Sequence, residues 1–325
     1  MTPPQVDTAP RSDRPPVDTA ALDRLLDRAG AYVEAHEAEW TPERDVDFET
    51  LNHLVRVWIQ EGSIAAHGRE LAAIQAAQHA DGGWGDRRDE PASRMRTSSF
   101  CCQMLLRAHR ALGDESLKGS VARALDFILA RQEPDGSWDD ARWHRLDATS
   151  VSTGTLIFAV SEPYGTAAHR AALTRAMRYV LGAVADDGLW YHKPTASPVE
   201  ITAHLLQKVA LYDPGSDVVT RAMAGLLELQ HADGHWDHRD VDSTCDAVRS
   251  LMLAAETRAG TALARDVTNA ARAGVAWLEA IQGVDGGHGV RAGRPSKVLY
   301  TCDVIDTALK YRAYETRVGL ATFYS

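Results

Sequence analysis

Long apolar runs are missing from this sequence. None approaches the roughly 18–20 residues that a membrane-spanning helix needs, and the opening stretch MTPPQVDTAPRSDRPPVDTA lacks the apolar centre of a signal peptide. Rich in Pro, Asp and Thr, it reads as a flexible arm over residues 1–18, followed by a single domain over 19–325. Clustered positive charge is missing as well. The 35 Lys and Arg are scattered among 45 Asp and Glu, for a formal net charge of −10, which argues against nucleic acid or an anionic membrane as a partner. Cysteine is scarce: Cys101, Cys102, Cys245 and Cys302 are too few for a disulfide framework in a chain of 325 residues. Aromatic residues make up only 7%, little for a cavity walled by rings. The expectation is a cytoplasmic protein with no membrane span. Its 45% hydrophobic content is enough for a large core.

What the chain does have is a repeat. Five segments match: QHADGGWGD, RQEPDGSWDD, VADDGLWYH, LQHADGHWDH and IQGVDGGHG, whose Asp-Gly glycines are Gly82, Gly136, Gly188, Gly234 and Gly286. A period near fifty residues marks a repeat architecture. The glycine supplies a positive-φ position where a helix must stop and turn. The Trp after it can fold back over the helix end, with the Gln amide bonding both the indole region and a terminal carbonyl.

Before each turn lies an amphipathic helix, as in TAAHRAALTRAMRYVLGAV (166–184). After it comes a helix rich in small residues with no plainly charged face: 97–109, 147–160, 199–211, 242–255 and 301–313. Residues 19–37 and 47–60 add a further outer and inner helix. Six amphipathic and six enclosed helices form two concentric layers, an all-α (α/α)6 toroid with no strand competing.

The stretch RALDFILARQEPDGSW resembles the QW motif of the terpenoid cyclases, whose toroid is shared by the protein prenyltransferase β subunits. The resemblance runs from about residue 20 to 315. Val184 replaces the Gln in the third copy, His288 the Trp in the fifth, and Ala73 and Gly225 stand where an aromatic is usual. In class II cyclases an Asp-x-Asp-Asp-Thr-Ala segment opens an inner helix, and here Asp240-Val241-Asp242-Ser243-Thr244-Cys245 matches it with Ser243 in place of an Asp. The resemblance implies that Asp242 is the general acid for proton-initiated cyclisation or isomerisation of an isoprenoid, with Asp240 hydrogen-bonded beside it and no cofactor. A carboxyl keeps its proton when buried against a second carboxylate, and the Ser243 hydroxyl can steady the anion left behind. Since the family pairs two such barrels, one toroid implies a homodimer, a partner chain or a small substrate.

Three other readings stand beside that one. Asp242 can be a plain N-cap of its helix. Asp240 or Asp242 with Cys245, and Cys302, Asp303 or His288 for the rest, offers the mixed ligand set by which prenyltransferase β subunits hold Zn2+, with Mg2+ as the other candidate ion. The toroid can also be a non-catalytic module that binds a lipid or a partner, which a lumen of fully salt-bridged acids would favour.

Helical spacing puts Glu200 with His204, and Asp242 with Asp246, on common faces, giving an acidic lumen with a basic partner, or salt bridges that fix the barrel register. Trp58 and Tyr300 are candidates for contact with substrate or carbocation. On the loop RAGRPSK, Arg291 and Arg294 are placed to meet a diphosphate at the barrel mouth.

Overall fold

Each inner helix owes its place to small side chains. In α6 (Arg145–Ser161) every residue from Leu146 to Leu156 is buried, and Ala, Ser, Thr and Gly make up most of them, so neighbours approach on all sides. The computed structural model describes residues 19–40, 48–161, 164–193 and 196–316; the arm over 1–18 lies outside them. The other inner helices are α2 (Phe48–Gln60), α4 (Met95–Leu112), α8 (Val199–Tyr212), α10 (Val241–Glu256) and α12 (Val298–Glu315). Each packs against the next, and α12 packs back on α2, closing the ring. Outside it lie α1 (Thr19–Ala35), α3 (Gly68–Ala76), α5 (Lys118–Ala130), α7 (Ala167–Gly182), α9 (Asp217–Glu228) and α11 (Ala262–Ala280). Among the described residues there are no strands, only the isolated bridges Trp84–Arg94 and Asp240–Arg291. The expected six-over-six toroid is the observed fold.

The repeated turns clamp the layers, by a different bonding pattern from the one expected. The Gln132 amide donates to the Gly136 carbonyl in its own turn and to the Ala172 carbonyl of the next outer helix, α7. It does not bond the indole. Trp138 Nε1 instead donates to the Ile128 carbonyl at 2.8 Å, closing the end of α5. Gln78, Gln230 and Gln282 repeat the first pattern, and Trp84, Trp190 and Trp236 the second. A helix end leaves its last carbonyls without partners, and these two side chains satisfy them. In the fifth copy His288 Nε2 lies 3.0 Å from the Leu278 carbonyl, and burial brings the imidazole down to about 4, so a neutral ring does the work of an indole. Where Gly225 replaces an aromatic, Leu189 fills the space that a Cβ would take.

Gly136 shows why glycine is needed. Its φ is 95°, and a Cβ there would overlap the Arg175 carbonyl of α7. Gly136→Ala is expected to lose about 2–4 kcal/mol of stability, the sum of left-handed strain and overpacking. Urea unfolding reads it directly.

A hydroxyl then ties each turn to the inner helix that follows. Ser98, Thr149, Thr202, Thr244 and Thr301 accept the backbone N–H of Trp84, Trp138, Trp190, Trp236 and His288 respectively. This bond fixes the rotation of every inner helix from α4 to α12 and so decides which residues face the lumen.

Candidate active site

Two residues before the hydroxyl of α4, α8 and α10 comes the first lumen position: Arg96, Glu200 and Asp242. The lumen encloses about 730 Å3, including the space open to solvent at its mouth. Glu49, Arg96, Glu200 and Asp242 line its upper end, His53, His204 and Asp246 its middle, and Arg56, Gln103, Arg107, Gln207, Lys208, Arg249 and Lys310 its lower part.

Asp240, rather than Asp242, caps α10. Its backbone is extended (φ −82°, ψ 130°) and its Oδ1 accepts the Ser243 N–H at 3.2 Å. Arg291 Nε lies 3.7 Å from the other oxygen. The capping reading therefore falls on Asp240, and Asp242 is left in the first turn with its carboxyl toward the cavity. Ser243 is buried outside the lining, its N–H given to that cap.

The carboxyl of Asp242 faces that of Asp303, from α12, near enough for a proton to be shared between them. Asp303 is 1% exposed. Its Oδ1 accepts from Arg249 Nη1 and lies 3.1 Å from His53 Nδ1, whereas its Oδ2 is reached by no N–H or hydroxyl. A proton on Asp242 is what that oxygen requires, because a buried carboxylate oxygen without a donor is costly. The electrostatics agree. Burial, with the carboxylates of Asp246, Asp303 and Glu200 around it, pushes the Asp242 carboxyl well above the usual range. Burial works on Asp303 in the same sense, but Arg249 and His53 override it and hold Asp303 well below.

Arg249, 1% exposed, joins the wall together. It donates to Asp246 and Asp303 and lies 3.3 Å from Asp306 Oδ2. His204 Nε2 meets Asp246 Oδ2 at 2.7 Å. Asp306 is also bound by Arg56, Gln60 and Lys310. The i, i+4 pair Asp306–Lys310 and the lumen faces of Glu200–His204 and Asp242–Asp246 are as expected from the spacing. Arg96 pairs with Glu49 at 2.8 Å, its guanidinium 4.7 Å from the Phe100 ring and 3.8 Å from that of Trp143.

Several candidates sit elsewhere. Trp58 is stacked on His67 at 3.6 Å and packed beside Trp40, outside the lining, because its face of α2 meets the outer layer. Tyr300 is half-buried, and burial together with Asp242 and Asp240 raises its hydroxyl to about 12; it is not in the lining. Arg291 and Arg294 are on an exposed loop. Cys245 and Cys302 are fully buried thiols pushed upward by burial. Neither belongs to a cluster with cation-ligand spacing, so the ligand set Asp242, Cys245 and Cys302 does not assemble. Among the described residues that spacing occurs at Asp147, Glu200 and His204, with ligand atoms within 4.8 Å of one another.

No protein-family model matches the chain. It is 32% identical over 125 residues to the drimenyl diphosphate synthase of Streptomyces showdoensis, a match covering 35% of this chain and 22% of the relative. A drimenyl diphosphate synthase of Streptantibioticus cattleyicolor is 29% identical over 189 residues, 55% of this chain and 34% of the relative. Among solved structures, a variant of the type II terpene cyclase MstE from Scytonema, in complex with geranylgeranyl dihydroxybenzoate, superposes with a TM-score of 0.69 at 14% identity, covering 91% of this chain and 99% of that one. The chain thus has the toroid fold of the type II terpene cyclases and is similar in sequence, over part of its length, to terpene diphosphate synthases.

That fold does not by itself fix a reaction. A glycosidase superposes equally well, with a TM-score of 0.70 at 12% identity over 92% of this chain and 100% of its own. The matched stretches also span only about a fifth to a third of the length of the curated relatives. The chemistry of this toroid has to come from its lumen.

Proposed function

We propose that the chain is a class II terpene-cyclase-like enzyme, in which Asp242 protonates a carbon–carbon double bond of an isoprenoid. One observation carries this reading: the Asp242 carboxyl lines the cavity beside Asp303, whose Oδ1 is taken by Arg249 and His53 and whose Oδ2 has no other donor. Alkene protonation needs an acid that keeps its proton at neutral pH and stands out of bulk water. The Asp242 proton forms a C–H bond with the π electrons of the alkene, leaving a tertiary cation. A second double bond attacks that cation to close a ring, and loss of a proton from a neighbouring carbon restores neutrality, so the net reaction is an isomerisation. Asp303 accepts a hydrogen bond from the acid before transfer, and Arg249 and His53 offset the charge that remains afterwards.

The relatives named drimenyl diphosphate synthase and the neighbour bound to geranylgeranyl dihydroxybenzoate support an isoprenoid substrate. That neighbour matches this chain almost end to end, which supports a toroid of this size as a frame for an isoprenoid substrate. A fully salt-bridged lumen would have favoured a non-catalytic role, and Asp242 breaks that pattern.

The test is incubation of the purified protein with geranyl, farnesyl and geranylgeranyl diphosphates and with squalene, with and without chelator, products being read by GC–MS after phosphatase treatment. A cyclic product that survives chelation is expected. Activity lost to chelator and restored by Zn2+ or Mg2+ would move the chemistry to the Asp147, Glu200 and His204 group.

The polar lining favours a second reading, glycoside hydrolysis, with Asp242 protonating a leaving oxygen. That reaction needs an ionised carboxylate free to act opposite the acid. Asp246 and Asp303 are engaged by Arg249, His204 and His53, and Glu200 is itself pushed up by burial. Release of phenol from aryl glycosides by the parent protein and not by Asp242→Asn would select this reading.

A further inference from the structure

The lower half of the lumen is built for something other than hydrocarbon. Below the His204–Asp246 pair its lining includes Arg56, Arg107, Lys208, Arg249 and Lys310 and no carboxylate. The acid at that level, Asp306, is fully buried behind the lining and already bound by Arg56, Gln60 and Lys310, while Arg249 serves Asp246 and Asp303. Lys208 is different. Among the described residues it makes no ion pair, although its ammonium stands in the cavity wall. Charged side chains are seldom enclosed unless paired, and burial together with Arg107, Arg56 and Arg249 brings this lysine down to about 8.

The neighbouring helix makes room for it. Gly154 lies at the α6 position that corresponds to Gln103, Gln207 and Arg249 in neighbouring helices, and a Cβ there would come within 3.1 Å of Lys208 Cε and 3.4 Å of Gln103 Nε2. A mid-helix glycine gives up about 1 kcal/mol relative to alanine. The space it leaves accommodates the lysine stem against α6. Arg107 lies beside it, its guanidinium 4.5 Å over the Phe158 ring.

We infer that Lys208, Arg107 and Gln207 form a subsite for an oxyanion, a phosphate, diphosphate or carboxylate at the end of the substrate remote from Asp242. The inference rests on the reading of Asp242 as the acid only for which end of the substrate is which. Asp242 and Glu200 occupy the same level, two residues before Thr244 and Thr202, and Lys208 follows Glu200 by eight residues. At 1.5 Å per residue the backbone of Lys208 lies about 12 Å down the axis from the level of the acid, the reach of a short isoprenoid chain. An anion held there stays clear of the cation formed at Asp242. The headgroup thus goes to the floor of the lumen rather than to Arg291 and Arg294 at its mouth.

The test is isothermal titration of the full chain with inorganic pyrophosphate and, separately, with benzoate, which tells a phosphate-type group from a carboxylate. The Asp242→Asn protein is used as parent, so that binding is read apart from turnover. Lys208→Met is expected to weaken binding of whichever anion the parent takes by about 10- to 100-fold, the worth of a charged hydrogen bond. Lys208→Arg should retain most of it and Arg294→Ala all of it. Circular dichroism melts of each variant report folding. Titration of a folded Lys208→Met protein indistinguishable from that of its parent overturns the inference, as does loss of binding in Arg294→Ala alone. If Asp242→Asn still cyclises substrate while Lys208→Met loses the anion, the subsite stands and the assignment of the acid falls.

Discussion

Asp242→Asn is expected to leave a folded protein that has lost cyclisation by about a thousandfold or more, within the range general acids contribute. Asparagine keeps the shape of the protonated carboxyl, and its N–H can donate to Asp303 as the O–H does, so the hydrogen bond survives and only the transferable proton is removed. The pH profile of the parent sharpens the test. The acid works in its protonated form, so kcat/KM should hold through neutral pH and fall as pH rises through the elevated Asp242 pKa. Its own titration creates no acid limb. The same shift has a stability counterpart: a carboxyl whose folded pKa is raised contributes stability that is complete below its unfolded value and is lost as pH rises through the folded one. Asp242→Asn should therefore unfold with a weaker alkaline dependence than the parent. Cyclisation at parental rates by the Asn variant would end the assignment.

Arg249→Met carries the largest expected effect on stability, about 3–5 kcal/mol, because removing one member of a buried network strands its counter-charges. The variant would leave Asp303 and Asp246 without their guanidinium and take one of three cations from Asp306. Burial raises all three carboxyls, yet Arg249 on Asp303, His204 ahead of Arg249 on Asp246, and Arg56 and Lys310 ahead of it on Asp306 hold them below the usual range. That stability is complete above the unfolded carboxylate value and is lost as pH falls toward the folded ones. The deficit of the variant, measured by urea unfolding, should accordingly be greatest at neutral pH and shrink below about pH 4, where the acids take up protons. A deficit unchanged between pH 7 and pH 3 would mean that Arg249 acts by packing alone.

The toroid was legible because its determinants are local. Asp-Gly at a positive-φ turn, a Gln, and a Trp folding back each have a reason within a few residues, and five copies remove accident. The contents of the lumen were harder. The reading centred on Asp242, Asp246, Glu200 and His204 held their faces because helical spacing alone relates them. It missed Lys208, Glu49 and Arg96, and it met Asp303 only as a metal ligand, because the rotation of each inner helix is set by a bond from one element to the next. That signal was in the sequence. A Ser or Thr follows the Trp or His of each turn by 14, 11, 12, 8 and 13 residues, and aligning those hydroxyls brings the lumen positions of α4, α6, α8, α10 and α12 into register. The capping role went to Asp242 rather than Asp240 because both are acidic and two residues apart, and only the extended backbone of Asp240 separates them. Trp58 was misplaced for the opposite reason: an aromatic on an enclosed helix meets either the lumen or the outer layer, and only its stack on His67 shows which.

The fifth turn grips the first outer helix. Gln282 donates to the Leu25 carbonyl across 257 residues of chain, Arg28 returns a bond to the Gly283 carbonyl, and Gly286 leaves no room for a Cβ against Arg28. During synthesis this contact becomes available late, just ahead of those made by α12. Until residues 282–288 have left the ribosome, α1 has nothing to seat against on that side, and the flank of α2 that α12 will cover stays bare. A nascent chain several repeats long is therefore an open arc with a sticky seam at each end. The emergence of α12, rather than the folding of any one repeat, is the step at which Asp242 acquires Asp303.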